Sequence, residues 1–149
     1  MTNRAYPEDP RVGVGALVIW KEKVLLVKRG VAPNKGLWAI PGGSLELGES
    51  LKECAERETL EETSLVVRAD KPLYVFDYIE KDEEERIRYH FVIVDVKAEY
   101  VSGEPVGRDD VLEARWVGKK EVLNLPVAKN TLKLLRHIRF IDENVVLSG

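Results

Sequence analysis

Residues 57–63, RETLEET, place Glu58, Glu61 and Glu62 at i, i+3 and i+4. On a helix these carboxylates share one face, close enough to repel one another. Stepping about 100° per residue, Leu51, Cys54, Ala55, Glu61 and Glu62 all fall within roughly 60° of Glu58. Lys52, Glu53, Glu56, Thr59 and Thr63 fall on the far side. The carboxylates therefore extend an apolar stripe. Glutamate pairs on helices are ordinarily solvated, but turned inward they cannot stay charged without partners. A hard divalent cation resolves the repulsion, because Mg²⁺ takes oxygen ligands and shares them with substrate phosphates.

The stretch ahead of the helix supports this chemistry. Pro41-Gly42-Gly43 reads as a sharp bend that lets backbone approach a ligand closely. The Gly43 carbonyl could serve there as a further oxygen ligand. Glu49 sits near the helix N-terminus, where the dipole favours an anion. It is also placed to pair with Arg57 and hold the loop against the helix.

Gly43-SLELG-Glu49-SLKECAE-Arg57-Glu58-TL-Glu61-Glu62-TS-Leu65 closely resembles the box of the Nudix family, G-x5-E-x7-R-E-U-x-E-E-x-G-U with U aliphatic. The preceding GLWAIPGG is similar to the family's usual lead-in. Two positions depart from the pattern: Thr59 replaces an aliphatic residue, and Ser64 replaces the glycine that normally caps the helix in a left-handed conformation. The resemblance implies a mixed central sheet between helices, an α/β/α sandwich over residues 1–149 as one domain. It implies Mg²⁺-dependent hydrolysis (Mn²⁺ is the other ion considered) of nucleoside diphosphates linked to another moiety. By position, Glu58 and Glu62 are metal ligands, Glu61 holds a further metal or orients water, and Gly43 offers its carbonyl. Arg57 and Glu49 orient the set. The general base is a glutamate of the box or an acid in a later loop, for which Asp110 is chosen over Asp109 and Glu113.

Substrate contacts are less sharply marked. Arg29 ends a strand where family members often hold phosphate with a basic residue. Tyr78 and Tyr89 could stack a base, although strand aromatics are usually core or cross-strand pairs. The overall resemblance favours ADP-ribose, split to AMP and ribose 5-phosphate. The region IEKDEEE lacks the proline usual downstream of the box in that group. A triphosphate house-cleaning pyrophosphatase is the alternative. A non-catalytic nucleotide sensor is a third reading, disfavoured because all the box glutamates are kept.

The chain has 149 residues, 44% hydrophobic and 33% charged, enough for a folded domain with a real core. A net charge of −3 argues against tracking nucleic-acid phosphates. The single cysteine, Cys54, excludes an intrachain disulfide and fits a reducing compartment. No apolar run reaches membrane-spanning length, and MTNRAYPEDPR lacks the apolar core of a signal peptide, so a cytoplasmic protein is expected. A homodimer is expected from family habit alone.

The pattern predicts strands over 12–20, 23–29 and 37–40, the last stopped by Pro41-Gly42-Gly43. A helix over 49–63 follows, then strands over 65–69, 72–80, 87–99 and 113–118. A final helix over 127–138 carries Val127, Thr131, Leu134, Leu135 and Ile138 on one side. This mixed order predicts an α+β or mixed α/β fold.

Overall fold

The computed structural model describes residues 4–142. Met1–Asn3, the start of the N-terminal stretch, and residues 143–149 lie outside the described residues. Seven strands and three helices follow in chain order: β1 (Arg11–Trp20), β2 (Lys23–Arg29), β3 (Trp38–Ala39), β4 (Gly42–Ser44), α1 (Leu51–Thr63), β5 (Val66–Lys81), β6 (Ile87–Ser102), β7 (Val111–Gly118), α2 (Lys119–Val122) and α3 (Lys129–His137). None of these helices is long and apolar enough to cross a membrane.

β1 organises the sheet. Arg11–Val18 pair in parallel with Phe91–Ala98 of β6, and Gly13–Gly15 pair antiparallel with β4. Ile19 and Trp20 turn back onto β2, which in turn carries β3 and β7 antiparallel. β5 lies antiparallel on the far edge of β6. Alternation splits the side chains between two cores. Val14, Ala16 and Val18 join Cys54 and Ala55 of α1, whereas Leu17, Val24 and Leu26 join Leu134 and Leu135 of α3. The sheet is thus sandwiched between helices, as predicted.

Several elements differ from the sequence reading. α1 begins at Leu51, two residues late, because Ser50 caps it: Ser50 Oγ accepts from the Glu53 N–H at 3.1 Å, and Glu53 Oε1 accepts from the Ser50 N–H at 2.9 Å. Pro41-Gly42-Gly43 does not simply end a strand; Gly42–Ser44 form β4. β5 is continuous through Asp70-Lys71 at the cost of register shifts near Pro72. Thr59 and Thr63 are buried, not on a wet face. Their hydroxyls donate to Ala55 O at 2.7 Å and Thr59 O at 2.6 Å, so they pack as small apolar groups.

Candidate active site

α1 is anchored in the core by Cys54 and Ala55, and its Glu58 and Glu62 lie against Gly43 and Gly42 of β4. Arg57 is the hub. Its Nε donates to Glu49 Oε2 at 2.6 Å and its Nη2 to Glu49 Oε1 at 3.0 Å. Its Nη1 donates to Glu58 Oε1 at 2.8 Å and Glu61 Oε2 at 3.2 Å, and Nη2 also donates to Ser44 O at 3.2 Å. One guanidinium therefore ties the loop before α1, the helix and β4 together. The hydrogen bonds from Arg57 hold the Glu49 carboxyl down at about 2, and they raise the Arg57 pKa in return.

Glu58 and Glu62 are each 8% exposed. Burial pushes the Glu62 carboxyl up to about 8, against the Gly42 N–H that donates to its Oε1 at 3.0 Å. Burial raises Glu58 too, against the pull of Arg57. Gly43 lies directly on Glu58: a methyl there would collide with the carboxylate. Glycine is what lets β4 backbone and this acid share the space.

The loop before β7 closes the site. The Val106 and Arg108 N–H groups donate to Thr63 O and Glu62 O, which fixes the loop on the C-terminal end of α1. Asp109 and Asp110 then face Glu58, Glu61 and Glu62 across a cavity of about 230 Å³. Arg29 and Arg4 line the same cavity. The Arg29 Nε donates to Pro33 O at 2.6 Å, and burial lowers its pKa.

A second cavity of about 160 Å³ adjoins the first, sharing Arg4, Arg29 and Gly42. Apolar surface outweighs polar surface in its lining. Gly13 and Gly15 of β1 form part of its floor with Phe91, Ile93 and Asp95 of β6 and Phe76 and Tyr78 of β5, while Asn130 and Thr131 of α3 wall it. These strand positions alternate, so one sheet face makes the floor. Tyr78 is at this cavity, with its hydroxyl donating to Glu80 Oε1 at 2.9 Å. Tyr89 shares the sheet face of Phe91 and Tyr78, two residues from Phe91 along β6, but it is buried and does not line the cavity. Of the two tyrosines, only Tyr78 belongs to the lining.

Among the described residues, no three metal-ligating side chains already converge on one point. Glu58 and Glu61 are turned to Arg57, and Glu62 to Gly42. The donor set nevertheless fits a hard divalent cation. The acids lining the cavity offer only oxygen, and two are buried with raised pKa values that a cation would reverse.

Residues 9–138 match the NUDIX domain. This chain belongs to the Nudix family. It is 34% identical over 117 residues, 78% of its length, to the ADP-ribose pyrophosphatase of Methanocaldococcus jannaschii, and the match spans 65% of that relative. The MutT Nudix hydrolase of Burkholderia pseudomallei superposes with a TM-score of 0.76 at 30% identity, over 88% of this chain and 99% of that one. The Nudix domain of Shewanella oneidensis NrtR, solved with ADP ribose, gives 0.69 at 26%, over 88% and 89%. In this Nudix domain the helical capping survives the loss of the box glycine: Ser64 takes the left-handed conformation at φ 67°, with its N–H donating to Leu60 O at 3.0 Å. Sequence reasoning missed Arg4, which lies outside the matched domain, and Asp95, which sits inconspicuously in an apolar strand.

Proposed function

We propose that this Nudix protein hydrolyses the diphosphate of nucleoside diphosphate-X compounds, with ADP-ribose as substrate and AMP and ribose 5-phosphate as products. One observation carries the reading: an acidic cavity fit for metal-bound phosphates opens, past Arg29 and Arg4, into an apolar cavity fit for a nucleoside. The M. jannaschii and S. oneidensis relatives support ADP-ribose as the choice within that class.

Glu58, Glu62, Glu61 and the Gly43 carbonyl would hold Mg²⁺, or Mn²⁺ in its place. The bound ion supplies charge neutralisation on the diphosphate and acidifies water. Arg57 and Glu49 fix the helix face that presents these oxygens. Arg29 and Arg4 place positive charge on the diphosphate where the cavities join. Water adds to one phosphorus as the bridging P–O bond breaks, and a carboxylate takes the water's proton. Glu61, Glu62 and Asp110 line the cavity where that proton leaves. The same reading treats residues 1–149 as one domain of a cytoplasmic homodimer acting on free nucleotides, not on nucleic acid or membrane. The net charge of −3 supports that choice of ligand, and the homodimer rests on family habit.

The test is competitive, because specificity is a ratio of catalytic efficiencies. ADP-ribose and oxidised dGTP are offered together at equal concentration with Mg²⁺, and both product sets are followed by chromatography. ADP-ribose is consumed first. Prior consumption of the triphosphate would replace this reading with the house-cleaning one.

A further inference from the structure

The proposed hydrolysis gives Asp95 no role, yet its placement is costly. The residue is 4% exposed and lines the apolar cavity. Burial alone pushes its carboxyl up to about 7, with no hydrogen bond or neighbouring charge acting on it. A buried carboxyl ordinarily has a partner in the protein. Here the sequence keeps the space in front of it open. Gly15 pairs with Asp95 across β1 and β6, and a Cβ on Gly15 would sit 2.5 Å from Asp95 Oδ1 and 2.8 Å from Ile40 Cδ1.

The position also suits a ligand that begins in the acidic cavity. Gly15 pairs with Gly42 on one side and Asp95 on the other. Asp95 thus stands two inter-strand spacings, about 10 Å, from the backbone shared by both cavities. Phe76 and Tyr78 of β5 and Phe91 further along β6 line the same cavity beside Asp95 with flat apolar surface. A ribose, with its hydroxyls, has little to match these rings; a planar base does.

We infer that Asp95 accepts a hydrogen bond from the exocyclic amino group of the nucleobase in this cavity, and so selects adenine. The choice of adenine rests on the ADP-ribose reading; the amino-group contact does not. An ionised carboxylate can only accept, so it fits the adenine amine and repels the carbonyl oxygen of hypoxanthine. A buried group left unpaired by the wrong ligand is what gives such a site its discrimination.

Calorimetric titration with AMP, IMP and GMP tests this, in Mg²⁺ at about pH 9, where the carboxylate is ionised. The wild type binds AMP at least tenfold more tightly than IMP or GMP. Asp95→Asn, whose amide both donates and accepts, binds AMP and IMP alike. Asp95→Ala binds both weakly and equally, with circular dichroism confirming its fold. Equal wild-type affinities for AMP and IMP, or no binding of either, overturn the inference, as does an Asp95→Asn variant that keeps the wild-type ratio. Tighter GMP binding overturns the choice of adenine. If AMP is selected through Asp95 but ADP-ribose is not hydrolysed, the substrate reading fails while the contact stands.

Discussion

The Arg57 guanidinium grips Glu49 at two points, 2.6 Å and 3.0 Å, and spends its remaining donors on Glu58, Glu61 and Ser44 O. Lysine cannot reproduce this fork, since its ammonium is a point charge without the planar geometry. Arg57→Lys is expected to lose about 1–2 kcal/mol of stability, read as a lower denaturant midpoint at unchanged slope. The pair also sets an acid limb. Glu49 has a folded pKa of about 2 against an ordinary 4.5, so its contribution is present above about pH 4.5 and is lost as pH falls toward about 2. Glu49→Gln should flatten that limb. An unchanged acid midpoint in both variants would show that the fork is not coupled to folding.

Glu62 behaves with the opposite sign. Its folded pKa is raised to about 8, so without metal the native state holds a proton that the unfolded chain releases above about 4.5. Stability should fall between those values as pH rises. Glu62→Gln keeps an oxygen for the Gly42 N–H but removes the charge. It should therefore flatten the fall and raise the metal-free melting temperature near pH 8. Turnover with Mg²⁺ should drop at least about a hundredfold, the scale seen when metal-site ligands are disturbed. Near wild-type turnover at saturating Mg²⁺ would remove Glu62 from the ligand set.

Mg²⁺ is expected to stabilise the folded state by about 2.7 kcal/mol at a hundred times its dissociation constant. In the absence of the ion, Arg57 is the hydrogen-bonded cation of Glu58 and Glu61, and Glu62 has the Gly42 amide with Arg29 nearby. Glu58→Gln should shrink the Mg²⁺-induced rise in melting temperature measured by calorimetry. A titration that leaves the melting point unmoved in the wild type would count against a cation on this helix face.

The box glutamates were legible because their chemistry fixes both residue type and spacing, and the sheet between helices followed from the family resemblance that they carry. What escaped depended on long-range partners. Gly42–Ser44 have the composition of a turn, and it is the absence of a side chain on Gly42 that lets them pair as a strand: a Cβ there would strike Val14 O of β1. Thr59 and Thr63 looked wet because they fall on the far side of the helix with Lys52, Glu53 and Glu56, whereas both are buried and each hydroxyl is absorbed by the preceding turn. α2 spans only Lys119–Val122, too short for any periodicity. Asp95 gained its setting from Gly15, a neighbour distant in sequence. Tyr78 and Tyr89 could not be told apart by type: strand pairing puts both on one sheet face, and only Tyr78 reaches the cavity.

Ser64 provides a prediction independent of activity. It occupies the left-handed region at φ 67°, closing α1 with an N–H to Leu60 O at 3.0 Å. A side chain in that conformation crowds its own carbonyl, at a cost of about 1–2 kcal/mol for most residues. Glycine lacks the crowding, although it gives back part of the gain through greater freedom in the unfolded chain. Ser64→Gly is therefore expected to stabilise the protein by about 0.5–1 kcal/mol. Neighbouring Thr63 already carries the hydrogen bond from the Leu65 N–H at 3.2 Å, so removal of the serine hydroxyl orphans no backbone group there. The check is the shift in chemical denaturation midpoint for Ser64→Gly beside Ser64→Ala. Alanine keeps the Cβ and should show no gain. Equal gains in both variants would locate the effect in the lost hydroxyl and not in the backbone.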